Sequence, residues 1–144
     1  VSKDLCTCSP LRRLTRRITV IYDHHLLADE LTITQYSLIS RIGRGPVANP
    51  DLAVVMGMDR STLSRALKPL IAAGWVATLD APAEAKLDKR SFVLQLTASG
   101  RAKLEAARPN WQRAQDEIDR LLGSELSDRL DQAVSDSYER LQPD

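Results

Sequence analysis

The spacing of apolar residues predicts a mainly α chain carrying one small β-hairpin. In the segment from Asp59 to Ile71, Leu63, Ala66, Leu67, Leu70 and Ile71 recur at helical intervals and form one stripe. Two further stripes lie toward the ends: Leu11, Leu14, Ile18, Ile21, Tyr22 and His25, then Leu104, Ala107, Trp111, Ala114, Ile118 and Leu121. Between them, Ser91 to Leu96 has the period of a strand, with Phe92, Leu94 and Leu96 on one side and Val93 and Gln95 on the other.

Each element has local start and stop signals. Ser9-Pro10 opens the first helix, Ser9 as N-cap and Pro10 at a position where its missing N–H costs nothing, and the helix runs to about Leu27. A second helix, roughly Thr34 to Ile42, stops at Gly43-Arg44-Gly45-Pro46. Asn49-Pro50 restarts the chain, a short helix from Asp51 to Met56 ends at Gly57, and Asp59 or Ser61 caps the next. Pro69 lies inside that helix and removes its bond to the Arg65 carbonyl, so a bend or a freed carbonyl is expected. Trp75–Leu79 and Ser91–Leu96 are the two expected strands, with 80–90 as the tip between them. Thr97 caps a long helix that Pro109 should kink, and its interval of three and four makes a seam for another helix. Gly123-Ser124 ends it and caps a last helix with the stripe Leu126, Leu130, Ala133, Val134, Ser137 and Leu141.

With 144 residues there is room for one compact unit with a helical extension, and none for a separate catalytic domain. The formal charge of +1 is unremarkable, but its distribution is uneven. Arg12 to Arg17 and Arg60 to Lys68 are basic, while Asp116 to Asp144 is mainly acidic. No apolar run approaches the ~20 residues needed to span a bilayer, and no long hydrophobic core like that of a secretion signal is present. The expectation is a cytoplasmic protein that does not engage membranes.

Helix, turn, basic-faced helix and charged hairpin, in that order, describe a device for reading duplex DNA. Opposite the Leu63–Leu67–Leu70 stripe lie Ser61, Thr62, Arg65 and Lys68, donors able to reach base edges and phosphates together from a major groove. The hairpin carries Asp88, Arg90, Leu94, Leu96, Thr97 and Gly100, an Asp-x-Arg followed by an apolar strand and Leu-Thr-x-x-Gly. This pattern, with Ser61, Thr62, Ser64 and Arg65 ahead of Leu70 and a Gly74-Trp75-Val76 turn, resembles the MarR family of winged helix-turn-helix transcription regulators over nearly the whole chain. The resemblance implies a single MarR-like unit over 1–144, with a winged-helix DNA-binding lobe at 31–100 and N- and C-terminal dimerisation helices at 9–30 and 101–144. It implies that Arg90 reaches the minor groove and that Asp88 helps to hold it; Lys86 and Lys89 are expected to aid Arg90 on the flanking minor groove or backbone. A homodimer on a palindromic operator follows, with each recognition helix presenting Ser61, Thr62, Ser64, Arg65 and Lys68. The expected activity is regulation, usually repression, with no catalysis, cofactor or metal.

Two control points are suggested. Cys6-Thr7-Cys8 precedes a helix N-terminus and lies near Arg12, Arg13, Arg16 and Arg17, both of which favour thiolate and hence oxidation; two ordinary thiols are the plainer reading. Two cysteines lack the further ligands of a tetrahedral metal site. Tyr22, His25, Tyr36 and Trp111 are polar-edged aromatics on helices that, by the resemblance, converge where many members of the family hold a small aromatic or anionic effector. The plainer reading makes them core. The rivals from other classes are a winged-helix module that binds only proteins, and a thiol enzyme with Cys6 or Cys8 as nucleophile and His24 or His25 as base. The latter has no evident oxyanion hole or orienting group.

Overall fold

The computed structural model describes residues 6–80 and 90–143. They form helix α1 (Cys8–Leu26), a 3₁₀ turn (Leu27–Asp29), α2 (Ile33–Ile42), β1 (Val47–Ala48), α3 (Asn49–Met56), α4 (Arg60–Ala72), β2 (Val76–Asp80), β3 (Phe92–Leu96), α5 (Ala98–Leu122) and α6 (Ser124–Arg140). The mainly helical class with a small sheet is thus present. The chain divides into two compact units, parted between His25 and Leu26 and between Pro109 and Asn110.

In the central unit, α2 begins with a capping box. The Gln35 N–H donates to Thr32 Oγ1 at 3.2 Å while the Thr32 N–H donates to Gln35 Oε1 at 3.0 Å, satisfying two donors that the helix start would leave open. The helix turns Tyr36, Leu38, Ile39 and Ile42 into the core. Helix α3 stops at Gly57, whose φ of 63° is the left-handed conformation that ends a helix cheaply only without a Cβ. Asp59 caps α4, accepting from the Thr62 N–H at 2.7 Å, and Leu63, Leu67 and Leu70 close onto the core. Burial is narrower than the stripe expected from spacing, since Ile71 is 39% exposed. Pro69 does not end α4, which continues to Ala72.

The sheet is antiparallel in the order β1-β3-β2. Two strands were expected; the third, β1, makes β3 central, with Leu94 paired to Val47 on one side and to Thr78 on the other. Leu94 is fully buried while Phe92, Val93, Gln95 and Leu96 are only partly so, and the sharp inside–outside alternation expected of β3 is absent. A central strand is covered along both edges, so position along the strand counts as well as parity.

The Leu-Thr-x-x-Gly run has a steric explanation. Thr97 Oγ1 donates to the Gly74 carbonyl at 2.6 Å and accepts from the Gly100 N–H at 3.0 Å, so one hydroxyl caps α5 and ties it to the turn before β2. The Trp75 carbonyl passes so close to Gly100 that a Cβ there would sit 2.0 Å from its oxygen. Only glycine leaves that space open.

The other unit contains α1, the end of α5 and α6. Its polar contacts form a chain: the Tyr22 hydroxyl donates to Gln115 Oε1, Gln115 Nε2 donates to Asp119 Oδ1 at 3.1 Å, and Ser127 Oγ donates to the same oxygen at 2.7 Å. Ala114 and Ile118 are buried, but Leu121, expected in the same seam, is 59% exposed. Helix α1 starts at Cys8, one residue before the expected cap, which still leaves Pro10 in the first turn. Ser124 makes no side-chain cap for α6; the turn is made by Gly123 at φ 78°. Helix α5 runs through Pro109 as one element. No helix among the described residues is long and apolar enough to cross a membrane.

Candidate nucleic-acid interface

The apolar stripe of α4 anchors the helix and thereby decides what its other side shows. With Leu63, Leu67 and Leu70 inside, Ser61, Ser64, Arg65 and Lys68 are exposed and Thr62 is half-buried. Asp59 at the helix start is held below the ordinary carboxyl value, first by the Thr62 backbone N–H and then by the Thr62 side chain, with the Arg65 charge contributing. The cap therefore stays ionised at neutral pH beside a cationic helix face.

A concave cleft of about 590 Å³ joins the start of α4 to the root of the hairpin, and Ser61, Ser64 and Arg90 all line it. Arg90, 18 residues beyond the end of α4 in sequence, is brought to the same surface because β3 pairs with β2 in the register Asp80 to Phe92. Arg65 and Lys68 stand on the same helix outside the cleft lining. Lys86, Asp88 and Lys89 lie outside the described residues. Four polar cleft residues were missed from sequence: Arg60, Asn49, Asp80 and Ser91. Arg60 was legible as part of the basic run; the other three come into the site only through sheet pairing.

The two expected control points are distributed as follows. Cys6 and Cys8 are exposed, unbridged thiols that border a shallow depression with Ser9, Arg12 and Arg16. Tyr22, His25 and Trp111 belong to the terminal-helix unit and Tyr36 to the central one. Burial raises the Tyr22 hydroxyl above its ordinary value, and Asp119 and Asp131 add to this. Burial also raises Tyr36, against the opposing charge of Arg108. His25 Nε2 meets Glu117 Oε2 at 2.5 Å, and this hydrogen bond is the main cause of a lowered Glu117 carboxyl. Among the described residues no cluster of three His, Cys, Asp or Glu side chains is placed to hold a metal ion.

A helix-turn-helix whose second helix shares a cleft with the root of a small antiparallel sheet defines the winged-helix class. Residues 29–90 match the model of the MarR family. Among solved structures, the chain is similar to the M. tuberculosis transcriptional regulator MosR in complex with DNA, at 28% identity and a TM-score of 0.77, covering 96% of this chain and 100% of that one. It is also similar to the transcriptional repressor CouR bound to a 23-mer DNA duplex, at 25% identity and a TM-score of 0.80, covering 92% of each chain. A probable transcriptional regulator from Pseudomonas aeruginosa shares the fold at 22% identity and a TM-score of 0.79, covering 93% of this chain and 98% of that one. Comparison with curated proteins gives no match. Family model and structural likeness agree: residues 29–90 match the MarR family, and over most of its length the chain is similar to winged-helix transcription regulators.

Proposed function

We propose that the protein is a cytoplasmic homodimer that represses transcription by binding a palindromic operator, and that oxidation of its N-terminal cysteines releases it. The observation that carries the reading is the cleft that brings the polar face of α4 and Arg90 to one surface. The helix enters a major groove with Ser61, Thr62, Ser64, Arg65 and Lys68, and Arg90 reaches the flanking minor groove, with Lys86 and Lys89 on the backbone. The proteins that the chain resembles regulate transcription and are not enzymes, and two of them are bound to DNA.

Dimerisation is supported by what the terminal-helix unit leaves uncovered. Leu11, Leu14 and Ile18 of α1 and Leu130 and Val134 of α6 border an open apolar groove of about 540 Å³. Helix α1 is rich in exposed arginine, whereas α6 carries Glu125, Asp128, Asp131, Asp136 and Glu139, so the same helices of two copies attract each other in charge as well. Two reading heads then meet half-sites about 34 Å apart.

The redox arm rests on exposed thiols beside Arg12 and Arg16. Peroxide converts one thiolate to a sulfenic acid with release of hydroxide, and a thiol of the second chain then displaces water from the sulfenic acid to form the bridge. A bond within Cys6-Thr7-Cys8 is strained, which favours the link between chains. The test starts from a duplex selected by the protein out of a random pool. Arg65→Ala is expected to lose about 1–3 kcal/mol of preference for that duplex over random DNA. Equal loss on both duplexes removes the specific reading, and failure to select any duplex favours a protein-binding module. If peroxide bridges the chains on a non-reducing gel yet leaves binding unchanged, a small aromatic or anionic effector becomes the better account of control.

A further inference from the structure

We infer that Asn49 is a positioning residue for DNA binding, holding the wing root so that Arg90 projects from a fixed backbone; the inference rests on the proposed role of Arg90. Strand β1 pairs with β3 through Val47 to Leu94 and Ala48 to Val93, and then ends because the chain turns into α3 at Asn49. Backbone pairing stops there, and a side chain takes over. Asn49 Oδ1 accepts from the Phe92 N–H at 3.0 Å, and Asn49 Nδ2 donates to the Arg90 carbonyl at 3.4 Å. The two bonds flank Ser91, so the carboxamide clamps the entry to β3 from the end of β1 and reaches the residue on which the proposed DNA reading depends.

The chemistry requires this side chain. A carboxamide puts one donor and one acceptor side by side and uncharged. Aspartate keeps the acceptor for Phe92 but turns a second oxygen toward the Arg90 carbonyl. Nor is Asn49 needed by its own helix: Ala48 is the N-cap of α3 and no side chain caps it, so removing the amide leaves the start of α3 as it was. The long Nδ2 bond is the weaker of the two, so Phe92 is the main anchor and Arg90 the guided group. Asn49 also lines the cleft with Ser61 and Ser64, which places the brace between the reading helix and the wing.

The test measures affinity for a duplex selected from a random pool by the unaltered protein, over a range of salt, with Asn49→Ala, Asn49→Asp, Arg90→Ala and the double variant Asn49→Ala with Arg90→Ala. Thermal melts accompany each. Asn49→Ala is expected to weaken binding about three- to tenfold, the scale of losing a modest hydrogen-bonded brace, and to lower the salt slope in the same direction as Arg90→Ala. Asn49→Asp should behave like Asn49→Ala and carries the test should the alanine variant unfold. In the Arg90→Ala background, removing the amide should cost no further affinity, because there is no guanidinium left to aim. A merely structural asparagine gives the opposite signature, a similar factor with or without Arg90. That additivity, or full affinity in Asn49→Ala while Arg90→Ala is weakened, overturns the inference and leaves the DNA reading standing. If Arg90→Ala itself binds as the unaltered protein does, the proposed wing contact falls and the inference falls with it.

Discussion

Leu38, Ile39, Leu52, Leu70 and Leu94 in the central unit are shut away from water, whereas Leu126, Val134 and Tyr138 of α6 are 49%, 52% and 56% exposed. The same residue types are present in both places, and both sets lie on amphipathic helices or strands. The central unit has a sheet and crossing helices with which to close its core, so one copy of the chain satisfies it. The terminal-helix unit has no strand among its described residues, and a helix whose apolar residues have no surface to cover keeps them in solvent. Burial thus separates a core closed within one chain from a helical face that, on the proposed reading, a second chain covers.

The largest effect expected from this contrast is on the stability of the central core. Leu70→Ala, at a site with no exposure, should cost about 2–5 kcal/mol in urea unfolding. Val134→Ala should change the unfolding of a single chain by less than about 0.5 kcal/mol. Comparable losses at the two positions would erase the distinction between the units. Next comes Gly100→Ala, whose added Cβ must displace the Trp75 backbone carbonyl; about 1–3 kcal/mol is expected, and thermal melting measures it. An alanine variant that melts with the unaltered protein would show that the Thr97 turn can yield.

For the terminal helices, Leu126→Asp combined with Val134→Asp should halve the sedimenting mass while leaving the melting of the central unit in place. An unchanged mass would place the contact between copies elsewhere, and a monomeric unaltered protein at micromolar concentration would remove the symmetry argument.

The smallest effects are acid titrations, one in each unit. Asp59 is lowered from 3.8 and Glu117 from 4.5 in the folded chain. A lowered carboxyl binds its proton less readily when folded, so its stabilising contribution is complete above the ordinary value and disappears as pH falls through the lowered one. Glu117→Gln should therefore reduce stability at neutral pH and flatten the acid limb of the melting curve below about pH 4.5, the ordinary carboxyl value. Asp59→Asn should do the same at lower pH in the central unit, because its cap bond to the Thr62 N–H is the leading cause. An acid limb identical in Glu117→Gln and the unaltered protein would mean that the His25 contact does not contribute to folding.

Much of the molecule was legible locally. The α4 stripe, the Asp59 cap, the Gly57 stop and the Thr97 cap are all settled by residues within four positions of one another, where helical geometry makes neighbours of i, i+3 and i+4. The exposed polar face of α4 followed from the buried one, because a helix anchored on Leu63, Leu67 and Leu70 has no choice about what it turns outward. The tertiary structure decided the rest. Val47-Ala48 has too few residues to show a strand period and becomes β1 only by pairing with β3, and Asn49, read from sequence as a chain restart, brings its amide to backbone 41 and 43 residues away. His25 finds Glu117 across 92 residues, a partner no local spacing can nominate. Leu121 has the periodicity of a core position and none of the burial, because periodicity assigns a residue to a face while only a packed neighbour takes that face out of water.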